Sequence, residues 1–260
     1  MTFETTYMNL ILDVLMTGEL RKTRNATTIA TCFKTLTISS LKDGVFPLIT
    51  GRKMYPKGII GEFAAFMHGP KHIDDFKSRG CNYWDKWCDE DGAINVDYGN
   101  AWVDYNGVNQ LKDVIETLKT NPYDRRMIVD AWRPDRLKEL SLPCCHILYQ
   151  FIVSAGCVDL IWYQRSADIM IGIPSDFVLA ALLLIYVADA AGMYPGDIHM
   201  VFGDAHIYTD HIDGAKEYIS RTIKPHPGYT FDGKLFDFEP YNFRIDDYSP
   251  NEPITFKLHG

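Results

Sequence analysis

The run Phe177–Ala188 carries no charged side chain and is stopped by Asp189. It falls short of the roughly 20 residues that a membrane crossing needs. A core helix, buried on every side, is the fold it demands. Such a helix needs a sizeable apolar body around it. A chain of 260 residues with 47% hydrophobic and 23% charged residues can supply one without staples. The chain has no repeat, no low-complexity tract and no long linker, so a single domain over residues 1–260 is expected. The formal charge is −8 and no lysine/arginine run is present, which argues against a nucleic-acid groove; a few local arginines still suffice for one phosphate. Cys32, Cys81, Cys88, Cys144, Cys145 and Cys157 form no CxxC pair. Met1–Leu12 is acidic and polar where a secretory signal is basic and then apolar. Reduced thiols and a cytoplasmic location are expected, with no membrane partner.

The remaining pattern reads as α+β. Leu10, Leu12 and Leu15 give Phe3–Thr17 a helical stripe. Pro56 opens a second helix that reads to Gly69-Pro70. Met127–Trp132 reads as a strand, and His146–Val153 and Cys157–Gln164 as a hairpin turning at Ala155-Gly156. Phe177–Ala191 is the apolar helix, His199–Phe202 a short strand and Tyr208–Ser220 a helix. Strand pairs of this kind imply a large mixed, mostly antiparallel sheet with flanking helices.

Two segments carry groups suited to chemistry. In Leu142-Pro143-Cys144-Cys145-His146 a thiol precedes a strand beside an imidazole. Neighbours on a strand point to opposite faces, so adjacency does not make a Cys–His pair, and a cysteine is more often a small core residue. Gln164-Arg165-Ser166-Ala167-Asp168 ends a β-rich run and leads into Gly172-Ile173-Pro174-Ser175-Asp176. A guanidinium beside a hydroxyl at a strand end suits a phosphate, and a cation near Cys145 favours its thiolate. Glu62 lies in the otherwise apolar Gly58–Phe66 stretch, where an unpaired carboxylate is costly, so a functional reading is favoured over a solvated face.

The chain resembles the thymidylate synthase family. The resemblance runs along nearly its whole length, through Phe46-Pro47-Leu48-Ile49-Thr50, Trp84-Asp85-Lys86-Trp87, Tyr98-Gly99, Pro122–Arg126, Cys145-His146, Gln150-Phe151, Gln164-Arg165-Ser166, Gly203–Tyr208 and Tyr248-Ser249-Pro250. It implies Cys145 as the nucleophile, with Glu62, Tyr98, Arg165, His146 and Asp176 in the catalytic group. It implies that Arg24, Arg165 and Ser166, together with Arg125 and Arg126 of a partner subunit, hold a nucleotide phosphate. Gln164 and Asp176 then face the base, and His206 and Tyr208 the deoxyribose. Trp84, Leu142, Asp168, Gly172, Arg52 and the C-terminal tail fall where the folate is held. The implied co-substrate is 5,10-methylenetetrahydrofolate, with no metal, and the implied assembly is a homodimer sharing arginines across its interface. The chemistry suits these residue types. A thiolate adding at C6 of a pyrimidine turns C5 into a nucleophile, and Glu62 and Tyr98 serve the proton transfers.

One departure bears on the substrate. Where the family's base-reading motif holds asparagine, this chain has Asp176. An amide complements uracil, donating to O4 and accepting from N3–H. A carboxyl can accept from the amino group of cytosine, and donate to its N3 when protonated. The expected substrate is therefore dCMP, with dUMP as the alternative. Hydride addition would give 5-methyl-dCMP, and water addition 5-hydroxymethyl-dCMP. Bulky Trp84, Leu142 and His146, with a tail ending Phe256-Lys257-Leu258-His259-Gly260, favour methylation by excluding water. Modifying cytosine at the nucleotide level would suit a bacteriophage. A catalytically idle dimeric homologue is the rival of a different class, and the intact Cys145, Arg165, Glu62 and Tyr98 oppose it.

Overall fold

The computed structural model describes residues 2–259; Met1, at the head of the N-terminal stretch, and Gly260, the last residue of the tail, lie outside the described residues. Its elements run α1 (Phe3–Thr17), β1 (Glu19–Lys22), β2 (Thr27–Ile38), α2 (Pro56–Met67), α3 (Ile73–Lys77), α4 (Tyr98–Val103), α5 (Gln110–Thr120), β3 (Ile128–Asp130), β4 (His146–Ser154), β5 (Cys157–Asp168), α6 (Gly172–Ala191), β6 (Tyr194–Tyr208), α7 (Ile212–Ser220), β7 (Gly228–Phe231) and β8 (Phe243–Asp246). Six strands form one sheet in the order β1-β2-β6-β5-β4-β3, and β7 and β8 pair separately. In the large sheet only β5 and β6 run parallel, joined through α6; its other pairings are antiparallel. The mixed, mostly antiparallel sheet with flanking helices expected from the sequence is therefore present.

Alternation sorts the two faces of the sheet. Val158, Leu160 and Trp162 of β5, Tyr149 and Phe151 of β4, Ile198, Met200 and Phe202 of β6 and Leu36 and Ile38 of β2 are buried. The α6 helix packs on this face along β5 and β6, and α1 along β2. By length and apolar composition α6 could cross a membrane, yet it is buried inside the protein and is the core helix expected from its sequence. On the opposite face Leu148, Gln150, Ile161, Tyr163, His199 and Val201 are half-buried, while Thr35, Thr37 and Ile152 are exposed.

Several boundaries correct the sequence reading. The α6 helix begins at Gly172, not Phe177, because Pro174 lies in its first turn, where no N–H is needed. Asp168 Oδ1 accepts from the N–H groups of Met170 (3.0 Å) and Ile171 (3.2 Å) just ahead of it. Asp176 is therefore inside the helix. β6 runs from Tyr194 to Tyr208 rather than His199–Phe202, since β2 and β5 pair with it on both sides and carry it past Gly203 and Asp204. A Cβ on Gly203 would stand 2.9 Å from the Tyr163 hydroxyl and 3.2 Å from the Arg165 carbonyl. Tyr208 ends that strand; a short 3₁₀ turn follows, and the helix starts only at Ile212. β3 is shorter than Met127–Trp132, and β5 runs on to Asp168. The β4–β5 turn falls at Ala155-Gly156, both at positive φ (49° and 80°), the geometry of a two-residue hairpin.

Candidate active site

The ends of β5 and β6, the segment before β4, and α2, α4 and α6 meet at one end of the sheet. They surround a cavity of about 750 Å³. Parallel pairing of β5 with β6 brings their C-terminal ends together, with Ser166 opposite Asp204 and Asp168 opposite His206. Gln164, Arg165, Ser166 and Asp168 thereby share one rim with His206 and Tyr208, and all of them line the cavity. Cys145 sits half-buried just before β4. Its N–H donates to the Tyr98 hydroxyl (3.1 Å), and its carbonyl accepts from the Arg165 N–H (2.9 Å). Burial pushes the Cys145 thiol up, while the Tyr98 hydroxyl and the Arg165 cation work the other way. The Arg165 guanidinium donates through Nε to the Cys144 carbonyl (2.7 Å) and through Nη2 to the Pro143 carbonyl (3.0 Å), and its plane lies 5.3 Å from the Trp132 ring. A guanidinium carries five N–H donors, so capacity remains for an anion.

Glu62 is buried on α2, where Trp84 Nε1 (2.7 Å) and the Tyr83 hydroxyl (2.8 Å) donate to its two oxygens. Burial raises its carboxyl to about 7 against those hydrogen bonds, so it exchanges a proton near neutrality. Tyr98 opens α4 and stacks on Phe66 of α2 at 5.4 Å with ring planes 3° apart. The helices cross so closely that a Cβ on Gly99 would lie 2.0 Å from the Phe66 carbonyl oxygen. This crossing keeps Tyr98 on the Glu62 side of the cavity.

The opposite wall centres on Asp176. Gln164 Nε2 donates to its Oδ2 at 2.6 Å, and His146 Nε2 stands 3.9 Å from its Oδ1. Among the described residues no lysine or arginine pairs with it. Burial raises its carboxyl to about 8 despite the Gln164 hydrogen bond, and Glu62 and Asp168 push the same way. Burial lowers His146 to about 3, so its ring is neutral; Nδ1 lies 2.5 Å from the Tyr149 hydroxyl. His146 thus turns toward Tyr149 and Asp176, as strand alternation requires, and is not paired with Cys145.

The remaining expected residues are also located. Trp84, Leu142, Asp168, Gly172, Arg52 and Arg24 all line the cavity. Asp168 also ties the turn ahead of α6, and Trp84 is tied to Glu62, so each has a structural contact besides its cavity face. Arg52 donates to the Met170 carbonyl (2.6 Å) and lies 5.3 Å over the Phe256 ring, with its buried Nε unpartnered. On β6, Asp204 Oδ1 holds His206 Nδ1 at 2.8 Å. Arg125 and Arg126 do not join them: both are exposed, outside the cavity, with Arg126 paired to Asp124. Sequence reasoning missed Tyr83, Trp87 and Asn25 as lining residues, and it did not foresee that His259 of the tail stacks on Tyr208 at 4.2 Å. No spacing rule points to them, because tertiary packing alone brings them in.

One thiol, a phosphate-compatible arginine rim, two carboxyls that hold protons near neutrality and an aromatic wall define a cysteine-centred α+β transferase pocket with room for more than one ligand. The thymidylate synthase family model matches residues 5–259, and the chain belongs to the thymidylate synthase family. That family carries out folate-dependent methyl transfer to C5 of a pyrimidine nucleotide, with methylenetetrahydrofolate as co-substrate. The aromatic rings of Tyr83, Trp84 and Trp87 and the free Arg52 N–H fit a flat, acidic ligand of the folate kind.

Proposed function

We propose that this chain is a deoxycytidylate C5-methyltransferase. The observation that carries the choice of base is Asp176, a buried carboxyl lining the cavity that pairs with no lysine or arginine among the described residues and accepts from the Gln164 amide. In that setting one oxygen of the carboxyl accepts from the cytosine amino group while the acid proton meets N3. Cys145 adds to C6 and activates C5. Arg165, which already braces the Cys144 and Pro143 carbonyls, turns its free donors to the phosphate with Arg24 and Ser166, and His206 and Tyr208 take the sugar hydroxyl. Glu62, through ordered water, serves the proton transfers, with Tyr98 beside the proton that leaves C5. The folate, held by Trp84, Leu142, Asp168, Gly172 and Arg52, supplies the one-carbon unit and the hydride. The tail residues Ile254, Phe256, Leu258 and His259 already lie against the cavity, which favours water exclusion and a methyl product over hydroxymethyl.

A homodimer belongs to the same reading. The half-buried sheet face of Leu148, Gln150, Ile161, Tyr163 and Val201 suits a second copy, and the sheet edge next to it carries Arg125 and Arg126, free to reach a neighbour's phosphate. A single catalytic domain, free of metal and acting in the cytoplasm, completes the proposal. The deciding experiment is product analysis by mass spectrometry after incubation with methylenetetrahydrofolate and either nucleotide. Expected are 5-methyl-dCMP and a rise in dihydrofolate absorbance; preferential turnover of dUMP would reject the base assignment, and a hydroxymethyl product the methyl one.

A further inference from the structure

Behind the cavity two chain segments are laced together. Asn95 Nδ2 donates to the Glu139 carbonyl (2.9 Å), its N–H to Ser141 Oγ (3.2 Å), and its carbonyl accepts from the Ser141 N–H (2.8 Å). Two residues on, Asp97 Oδ1 accepts from Arg136 Nη1 at 2.6 Å, and Arg136 Nη2 donates to Asn95 Oδ1 at 2.6 Å. The lace ends at the Tyr98 hydroxyl, which accepts from the Cys145 N–H. One segment delivers Tyr98, and the other runs directly into Cys145.

Asp97 is unusual for a residue that never touches the cavity. It is 1% exposed, and its Oδ2 has no partner. It does not cap α4, although it stands at that helix's N-terminus. A half-buried ion pair whose buried carboxylate keeps an orphaned oxygen is a poor source of stability. Its value lies in direction: a charged hydrogen bond fixes the start of α4 against the segment that carries the thiol. From the other side Arg165 clamps the carbonyls of Pro143, Cys144 and Cys145. The thiol is thus set between a clamp on its carbonyl side and a tyrosine on its amide side, and only the tyrosine depends on Asp97.

We propose that Asp97 and Arg136 are positioning residues that set Tyr98 against Cys145. The inference rests on the reading of Cys145 as nucleophile. Neither group touches the reacting atoms; they act through Tyr98, whose hydroxyl favours the thiolate. Loosening Tyr98 slows thiol chemistry while leaving the phosphate and sugar contacts in place.

The test uses the full chain and compares Asp97→Ala, Asp97→Asn, Arg136→Lys and, as a control in the same segment, Asp135→Ala, which removes the carboxylate beside Arg133. Turnover and nucleotide KM are measured, together with the rate at which iodoacetamide alkylates Cys145 at about pH 8, read by peptide mass. Asp97→Ala is expected to lower kcat roughly ten- to a hundredfold with KM within about threefold, and to slow Cys145 alkylation about threefold or more. Arg136→Lys, which keeps the charge on Asp97, restores most of the rate, and Asp135→Ala changes neither quantity. Should Asp97→Ala fail to fold, Asp97→Asn carries the comparison. The proposal is overturned if kcat and alkylation stay within about twofold of the parent while only thermal stability falls. If even the parent turns over no nucleotide, the methyl-transfer reading fails, and the alkylation rates still decide the positioning role.

Discussion

If Asp176 reads the base, its raised carboxyl makes the selectivity depend on pH. Burial is the main cause of its shift to about 8, with the Gln164 hydrogen bond opposing and Glu62 and Asp168 adding to it. A neutral carboxyl can pair with cytosine, and by turning its proton it can also pair with uracil, donating to O4 and accepting from N3–H. An ionised one sets acceptor against acceptor at uracil O4, whereas on the thiol adduct of cytosine, with a proton on N3, it accepts from both N3–H and the amino group. The ratio of kcat/KM for dCMP to that for dUMP should therefore rise as pH passes upward through about 8, checked by competing both nucleotides from about pH 6.5 to 9. Asp176→Asn should abolish the rise and move preference toward dUMP; a ratio flat in pH for the parent would remove the carboxyl from base reading. Asp176 was legible in sequence because it stands where the base-reading motif of the family holds asparagine. Its protonation was not, since that depends on walls contributed by Gln164, His146 and Glu62 from three other segments.

At the scale of elements, α1 is fixed to the cavity loop by one carboxylate. Glu4, fully buried, accepts from the N–H groups of Thr50 (2.9 Å) and Gly51 (2.7 Å), from the Tyr218 hydroxyl (2.5 Å) and from His226 Nε2 (2.7 Å). Burial alone would raise its carboxyl, but the bonds from His226, Tyr218, Thr50 and Gly51 outweigh that and hold it below the usual value. A depressed carboxyl stabilises the fold above its unfolded pKa, and the contribution fades as pH falls through the folded one. Glu4→Gln should cost about 2–4 kcal/mol, roughly 5–10 °C in Tm at neutral pH, with the gap from the parent narrowing below about pH 4 in a calorimetric series. An equal gap at acid and neutral pH would show that charge is irrelevant there. Elements were readable to the degree that one face was apolar. The helices α1 and α2 and the β4–β5 hairpin announce themselves. The α5 helix does too, through Leu111, Val114, Ile115 and Leu118 at helical spacing, and it was omitted. The β1–β2 pair was not readable, because Thr35 and Thr37 face solvent and the strand is held by β6 rather than by its own pattern.

For the whole molecule, the exposed arginines set a test of shared sites. Arg126 is 89% exposed, and among the described residues its side chain is held only by Asp124. If it serves a partner's phosphate, Cys145→Ala and Arg126→Ala preparations, each nearly inactive, should recover about a quarter of parental activity after equal mixing and subunit exchange. Half the dimers would then be mixed, each with one complete site. No recovery, together with a monomeric mass by light scattering, would place phosphate binding within one chain. This level was the least legible in the sequence. Arg125 and Arg126 look like a solvated pair after an Asn-Pro turn, and nothing local marks them as reaching elsewhere.

The parallel crossover β5–α6–β6 has a further consequence. Gln164, Arg165, Ser166, Asp176, His206 and Tyr208 all arrive on one uninterrupted stretch of polypeptide, from Cys157 to Tyr208. If these residues read the nucleotide as proposed, recombination that exchanged that stretch between two relatives would transplant the reader of base, sugar and phosphate as a unit, already seated on its own scaffold helix. A change of nucleotide preference in such a lineage could arrive by a single genetic crossover, with the thiol and its proton relay inherited from the other parent.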